Sequence, residues 1–302
     1  MGGFLVIETG IENLRDPFML RENDTYYIYG TGVDSGDWEN TVWMCYKNDS
    51  GKLDCNWEIV GKTVYIRPEN AEKNLWAPEV HKYKGFYYMF ATYYSSLTKH
   101  RGCSILKADN PEGPFVEITD GHITPANWDA IDGTFYLDED GQPWMIFVHE
   151  WTCTDDGIGR MAAVKLSDDL THFISNPIEL FRADSPSWAT GRVTDGCFMY
   201  RTKDKQLLMI WSNSCRDGYC VGIARSKDGK VDGEWMQDEE LLFSKQTTGI
   251  HDGGHGMIFT DTNGQMYLLI HSPNKQTEEH GEKTVLVSVC EENGTLFCRN
   301  LK

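Results

Sequence analysis

The sequence has no long hydrophobic run. Nowhere in its 302 residues is there a stretch near the roughly 20 apolar residues that a helix needs to cross a bilayer. Positive charge is also in short supply. The chain carries 28 Lys and Arg against 46 Asp and Glu, a net charge of −18. Nucleic acid and anionic membranes bind through basic patches, so neither is expected as a partner. The nine cysteines are an odd number and form no CxxC pair and no Cys/His metal spacing. Cys45 with Cys55, and Cys215 with Cys220, could face each other across hairpins in an oxidising compartment. Reduced, half-buried thiols are the favoured reading, and they lean towards a cytoplasmic setting. The opening "MGGFLVIETG" lacks the basic and apolar regions of a signal peptide. A secreted or periplasmic setting stays open if a leader has been removed. Helical periodicity is scarce as well, which points to an all-β chain.

Aromatic residues are plentiful: ten Trp, 14 Tyr and 13 Phe. Most must fill a β core, and the flat faces of the rest suit the C–H faces of a sugar ring. The aromatic segments recur in a pattern. Strands reading "TYYIYGTG" (25–32), "FYYMFATY" (86–93), "PWMIFVHE" (143–150), "LLMIWSNS" (207–214) and "MYLLIHSP" (266–273) each follow a polar turn. A third strand follows each: "TVWMCYK", "GCSILKA", "RMAAVKLS", "YCVGIARS" and "TVLVSVC". Apolar fourth strands come next, such as "EIVGKTVY", "IELF" and "ELLF". Five such units of about 60 residues predict a five-bladed β-propeller of four-stranded antiparallel blades. No linker-like stretch divides the chain, so residues 1–302 read as one domain.

Three inner-strand runs open on an aspartate: "LRDPFMLRE" on Asp16, "AIDGTFYLD" on Asp132 and "RVTDGCFMY" on Asp195. Turn chemistry explains any one of them alone. Propeller geometry brings all three to one mouth, because every inner strand starts there. Glu79 of "WAPEV" belongs to the same set, as do His251, Asp252 and His255 of "HDGGHGMIF". The second strands return to that mouth with His149 and Glu150, Ser212 and His271. Like charges raise one another's pKa, so a structural role alone gives little reason to gather these carboxylates. Convergent carboxylates beside aromatic rings suit glycoside hydrolysis, which needs one proton donor and one carboxylate to activate water or to attack.

The stretches "RDPF", "WAPEVHKYKGFYYMF", "WDAIDGTFYLDEDGQPW", "VTDGCFMY" and "DGGHGMIF" together resemble glycoside hydrolase family 43 over nearly the whole chain. The resemblance implies a five-bladed propeller, inversion at the anomeric carbon, and arabinofuranosides, arabinans or xylosides as oligosaccharide substrates. Carried over by position, it makes Asp16 the general base and Asp132 the residue that tunes and orients the acid. The family's acid is normally a glutamate in a Glu-Gly-Pro-like context, and here that position is Asp195, one methylene shorter. Three readings follow: Asp195 still acts, Glu150 of "VHEW" has taken over, or the pocket only binds sugar. Trp76 resembles the family's pocket-wall aromatic. Glu79, His149, Arg192 and His271 are candidate substrate contacts. His255 resembles a channel-closing histidine that contacts calcium or its waters, and it reads equally as a buried structural histidine. No cofactor is expected for the chemistry, and any calcium near the channel axis would be structural.

A rival class is a non-catalytic sugar-binding propeller with a degenerate acid position. A protein-interaction propeller of the WD type is disfavoured, because its Gly-His and Trp-Asp repeat signature is absent.

Overall fold

The computed structural model describes residues 6–33, 39–275 and 281–298. Residues 1–5, on which part of the leader reading rests, lie outside them. A first strand, β1 (Val6–Glu12), precedes blade 1, which comprises β2 (Leu14–Glu22), β3 (Thr25–Val33), β4 (Thr41–Asn48) and β5 (Glu58–Ile59). Blade 2 comprises β6 (Ala71–Tyr83), β7 (Phe86–Ser95), β8 (Arg101–Ala108) and β9 (Val116–Glu117). Blade 3 comprises β10 (Ala130–Leu137), β11 (Pro143–His149), β12 (Arg160–Lys165) and β13 (Ile178–Arg182). Blade 4 comprises β14 (Asp195–Arg201), β15 (Leu207–Cys215), β16 (Gly218–Ser226) and β17 (Trp235–Gln237). Blade 5 holds β18 (Gly254–Thr260), β19 (Met266–Ser272), β20 (Lys283–Glu292) and β21 (Thr295–Cys298). The propeller read from the sequence is the fold of the chain.

The second strands are the most apolar because neighbouring blades cover both of their faces. Every residue of β11 is buried. The core is therefore a set of seams between blades. In the seam between blades 3 and 4, Ile131, Ile146 and Val148 pack with Cys197, Met199 and Leu207.

The ring closes through a strand that the repeat pattern did not reveal. β1 pairs antiparallel with β20, Val6 opposite Val287 and Glu8 opposite Val285, so the first strand of the chain lies on the last blade. Two predicted fourth strands are corrected. "EIVGKTVY" yields only Glu58–Ile59, because Gly61 (φ 78°) breaks the extended run and a 3-10 turn, Gly61–Val64, follows. "ELLF" is not a strand: Trp235–Gln237 takes the edge directly after the turn, and Phe243 only bridges to Val221 while Leu242 and Phe243 are buried.

All five inner strands carry a bulge at the same place. The register slips between Arg15 and Phe18, Trp76 and Glu79, Ile131 and Thr134, Asp195 and Phe198, and Gly254 and Met257. The second residue of each bulge is left-handed: Asp16 (φ 53°), Ala77 (43°), Asp132 (54°), Gly196 (42°) and His255 (46°). Bulges re-aim side chains at sheet ends, and here they turn the five strand openings towards the common mouth. Neighbouring blades are tied at this level. A second-strand side chain accepts the bulge N–H of the next blade: Thr31 Oγ1 from Ala77 (2.8 Å), Thr92 Oγ1 from Asp132 (3.0 Å), Ser212 Oγ from His255 (2.9 Å) and His271 Nδ1 from Asp16 (3.2 Å).

Candidate active site

The bulges explain which of the aspartates are equivalent. Asp16 and Asp132 both occupy the left-handed position, which Asp tolerates better than most residues. Asp195 stands one residue earlier, level with Arg15, Trp76 and Ile131, and Gly196 holds the left-handed place. A Cβ on Gly196 would meet the His255 ring at 2.5 Å, so glycine is required there. The two positions interleave around a funnel of about 280 Å³, lined by Arg15, Asp16, Trp76, Ile131, Asp132, Glu150, Trp151, Asp195 and His255.

At the bottom of the funnel, Asp16 Oδ1 faces His255 Nδ1 at 3.2 Å and Asp16 Oδ2 accepts from Thr31 Oγ1 at 2.6 Å. His271 is buried below them. Its Nδ1 accepts the Asp16 N–H, while its Nε2 lies 3.1 Å from Asn274 Oδ1. Arg15 stands over the same residues, bonded to Asn274 and paired with Glu282 at 3.2 Å. Burial raises the Asp16 carboxyl, but His255, His271, Arg15 and the Thr31 hydroxyl outweigh it and hold the group below its ordinary value. His271 is itself pushed down to about 3 by burial and is uncharged near neutrality.

Across the funnel, Asp132 and Asp195 hydrogen-bond to each other. Asp132 Oδ2 also accepts the Gly196 N–H at 3.0 Å, and Asp195 Oδ2 accepts the Tyr219 hydroxyl at 2.8 Å. Burial and the neighbouring Asp16 charge push Asp132 up to about 7. Burial and the Asp132 charge push Asp195 well above its ordinary value. Two buried carboxylates in contact hold one proton between them near neutrality, and they titrate as a pair.

Glu150 lines the funnel beside Trp151 and is gripped by Arg101, whose Nε and Nη2 donate to its two oxygens at 2.7 and 2.9 Å. The Arg101 guanidinium lies 5.6 Å from the Trp76 ring, so the three side chains form one wall. Burial raises the Glu150 carboxyl, and the Arg101 bonds and charge oppose the rise.

Four expected contacts do not line the funnel. Glu79 lies two residues past its blade's left-handed position, down the channel, and is buried. Burial pushes it up to about 8 and pushes its partner His81, 3.2 Å away, down to about 3, so they meet as neutral acid and neutral imidazole. His149 stacks on Trp128 at 3.7 Å and contacts Glu179 at 3.0 Å. Its side chain points away from the mouth because alternation along β11 sends Glu150 there instead. Arg192 is exposed on the loop before β14. His271 acts from beneath, on the Asp16 backbone. His251 is exposed and lines a separate groove. Arg15, Thr31, Arg101 and Tyr219 were not read from the sequence. Only Arg15, beside Asp16 in "RDPF", stood next to a recognised motif.

Asp132, Asp195 and His255 each offer one donor atom, all within 4.8 Å of one another. Calcium takes about six to eight oxygens. Two carboxylates already engaged with each other, Gly196 and Tyr219, and one imidazole facing Asp16, do not fit that requirement. His255 faces Asp16, and no step is derived through a metal. All nine cysteines are free, and no helix among the described residues is long and apolar enough to cross a membrane.

Comparison with known proteins bears on this geometry. The family model of glycosyl hydrolases family 43 matches residues 10–296. The extracellular exo-α-(1→5)-L-arabinofuranosidase of Cellvibrio japonicus (strain Ueda107) is 26% identical over 298 residues, covering 86% of this chain and 79% of that protein. The extracellular endo-α-(1→5)-L-arabinanase 1 of Bacillus subtilis (strain 168) is 26% identical over 156 residues, 47% of this chain and 45% of that protein. The crystal structure of an endo-arabinase from Bacteroides thetaiotaomicron VPI-5482 superposes with a TM-score of 0.81 at 33% identity, covering 97% of this chain and 99% of that one. Both curated relatives are named extracellular, which does not support the cytoplasmic setting inferred from the cysteines.

Proposed function

The chain belongs to glycoside hydrolase family 43 and is a glycosidase, and from that premise we propose that it hydrolyses α-L-arabinofuranosyl linkages of arabinan-type oligosaccharides with inversion. The observation that carries the mechanism is the opposed protonation of the carboxylates facing one funnel. His255, His271, Arg15 and Thr31 hold the Asp16 carboxyl below its ordinary value, while burial raises Asp132 and Asp195, which share a proton in this reading. A base and an acid driven apart by their surroundings are what single-displacement hydrolysis requires.

In this reading Asp16 takes a proton from a water that attacks the anomeric carbon. Asp195, at the family's acid position, gives its proton to the departing glycosidic oxygen. Asp132 keeps that proton in place through its charge and its bond to Asp195. Trp76 and Trp151 offer flat walls to the sugar, and Arg15 offers N–H donors to its hydroxyls. The arabinan preference is supported by the chain's likeness to the arabinofuranosidase of Cellvibrio japonicus, the arabinanase of Bacillus subtilis and the endo-arabinase of Bacteroides thetaiotaomicron. The chemistry is proposed to need no cofactor.

A second reading rests on one observation: Glu150 lines the same funnel and is raised by burial despite Arg101. In it Glu150 is the donor and reaches the leaving oxygen with its extra methylene. Asp195 is favoured because a bidentate guanidinium stabilises the ionised form of Glu150, whereas the Asp132 charge stabilises the protonated form of Asp195. The direct test is turnover of an aryl α-L-arabinofuranoside by wild type and by Asp16→Asn. Activity in the first and none in the second supports the assignment. Binding of arabino-oligosaccharide without turnover of that substrate or of an aryl β-D-xyloside would make the chain a sugar-binding propeller.

A further inference from the structure

The ring of interblade bonds has one break, and the break falls at the active site. Thr31, Thr92, Ser212 and His271 hold one register position in their second strands. They stand opposite Arg15, Trp76, Asp195 and Gly254 respectively, the first residues of the bulges. Each accepts the left-handed N–H of the next blade. In blade 3 the same position, opposite Ile131, is Val148. It has no acceptor, and it is buried against Cys197 and Met199 of blade 4. The Gly196 N–H that a hydroxyl there would have taken goes instead to Asp132 Oδ2 at 3.0 Å.

We propose that Val148 is a positioning residue for the reaction: by offering no acceptor, it leaves the Gly196 N–H to hold the Asp132 carboxylate against Asp195. The inference rests on the reading of Asp132 as the residue that tunes the acid. The physical logic is one of competition for a single donor. A buried N–H bonds whatever acceptor is in reach. A hydroxyl at position 148, placed as in Thr31 and Thr92, would complete the ring and compete with Asp132. The carboxylate would then trade its bond from the Gly196 N–H for one from the new hydroxyl, as Asp16 Oδ2 takes one from Thr31 Oγ1, and would lose its tie to the backbone that carries Asp195. The apolar residue here therefore serves the chemistry by what it withholds.

Val148→Thr and Val148→Ala separate this role from packing. V148T keeps the branched shape and supplies the acceptor; its hydroxyl oxygen accepts the Gly196 N–H and its O–H donates to Asp132, the arrangement Thr31 has with Ala77 and Asp16. V148A leaves a cavity and still supplies no acceptor. On an aryl α-L-arabinofuranoside, V148T is expected to lose about tenfold in kcat, the size expected when one hydrogen bond to a charged group is lost, with little change in KM or melting temperature. V148A is expected to melt lower and to lose less kcat than V148T. A packing role predicts the reverse order, and V148A losing as much kcat as V148T would overturn the proposal. Turnover by V148T equal to wild type would overturn it too.

A second measurement needs no activity. The Gly196 amide resonance should move on Asp132→Asn in the wild-type background and stay still on the same change in V148T. Equal movement in both backgrounds refutes the competition. If instead no pentoside is cleaved by the wild type while the amide behaves as described, the catalytic reading has failed and the Val148 linkage stands.

Discussion

Asp16 Oδ1 and His255 Nδ1 meet at 3.2 Å, each from the left-handed position of its own bulge, in the first and last blades. The contact joins the two ends of the propeller at the floor of the funnel. In the proposed mechanism it fixes the direction of the carboxylate that faces the attacking water. His255→Ala should leave the fold intact and lower kcat by about 100-fold, the cost of a misplaced catalytic group. Steady-state kinetics with circular dichroism checks this. A variant with full activity would show that His255 is not needed to orient Asp16.

The proton donor is identified by leaving-group dependence. If Asp195 is the donor, Asp195→Asn should lose activity steeply on natural arabino-oligosaccharides and much less on a dinitrophenyl arabinofuranoside, which needs little protonation. Glu150→Gln should lose activity to similar extents on both. The opposite pattern would assign the proton to Glu150.

The pH profile follows from the same pair. In the proposed mechanism the alkaline limb of kcat/KM should report loss of the proton shared by Asp132 and Asp195, and the acidic limb should report Asp16. Next to burial, the Asp132 charge is the main cause holding Asp195 up. Asp132→Asn removes that charge, so the alkaline limb should move to lower pH while the acidic limb stays in place. An alkaline limb that stays put, measured on the same substrate, would free Asp132 from the tuning role.

Most of this fold was legible in the sequence because second strands covered on both faces must be apolar and short, and they repeat. Ring closure by β1 was not, since "VIETGIE" pairs with a strand more than 270 residues away and carries no local signal of it. At the site, Asp16, Asp132, Asp195, Glu150, Trp76 and His255 line the funnel. Glu79 does not, because the bulge places it two residues too deep, and a shift of that kind is invisible without the register. The partners that set protonation were missed for a related reason. Arg101, Thr31 and Tyr219 come from other strands, and only the closed ring brings them to the carboxylates.

Buried Glu79 gives a stability signature. Its carboxyl is raised from 4.5 to about 8, so the folded state holds the proton more tightly than the unfolded state. The stability it contributes is full below about pH 4.5 and is lost as the pH rises towards 8. Glu79→Gln cannot ionise. Its melting temperature relative to wild type should therefore climb between pH 5 and pH 8, by roughly 5 °C. A difference constant across that range would show that Glu79 is already ionised in the fold.

The central claim is a single displacement with Asp16 as base, and the anomer released first tests it most directly. Proton NMR of the earliest product from an α-L-arabinofuranoside should show β-L-arabinofuranose, with α appearing only by later mutarotation, and Asp16→Asn should release neither. Initial release of the α anomer would mean a covalent, retaining mechanism and would contradict the account.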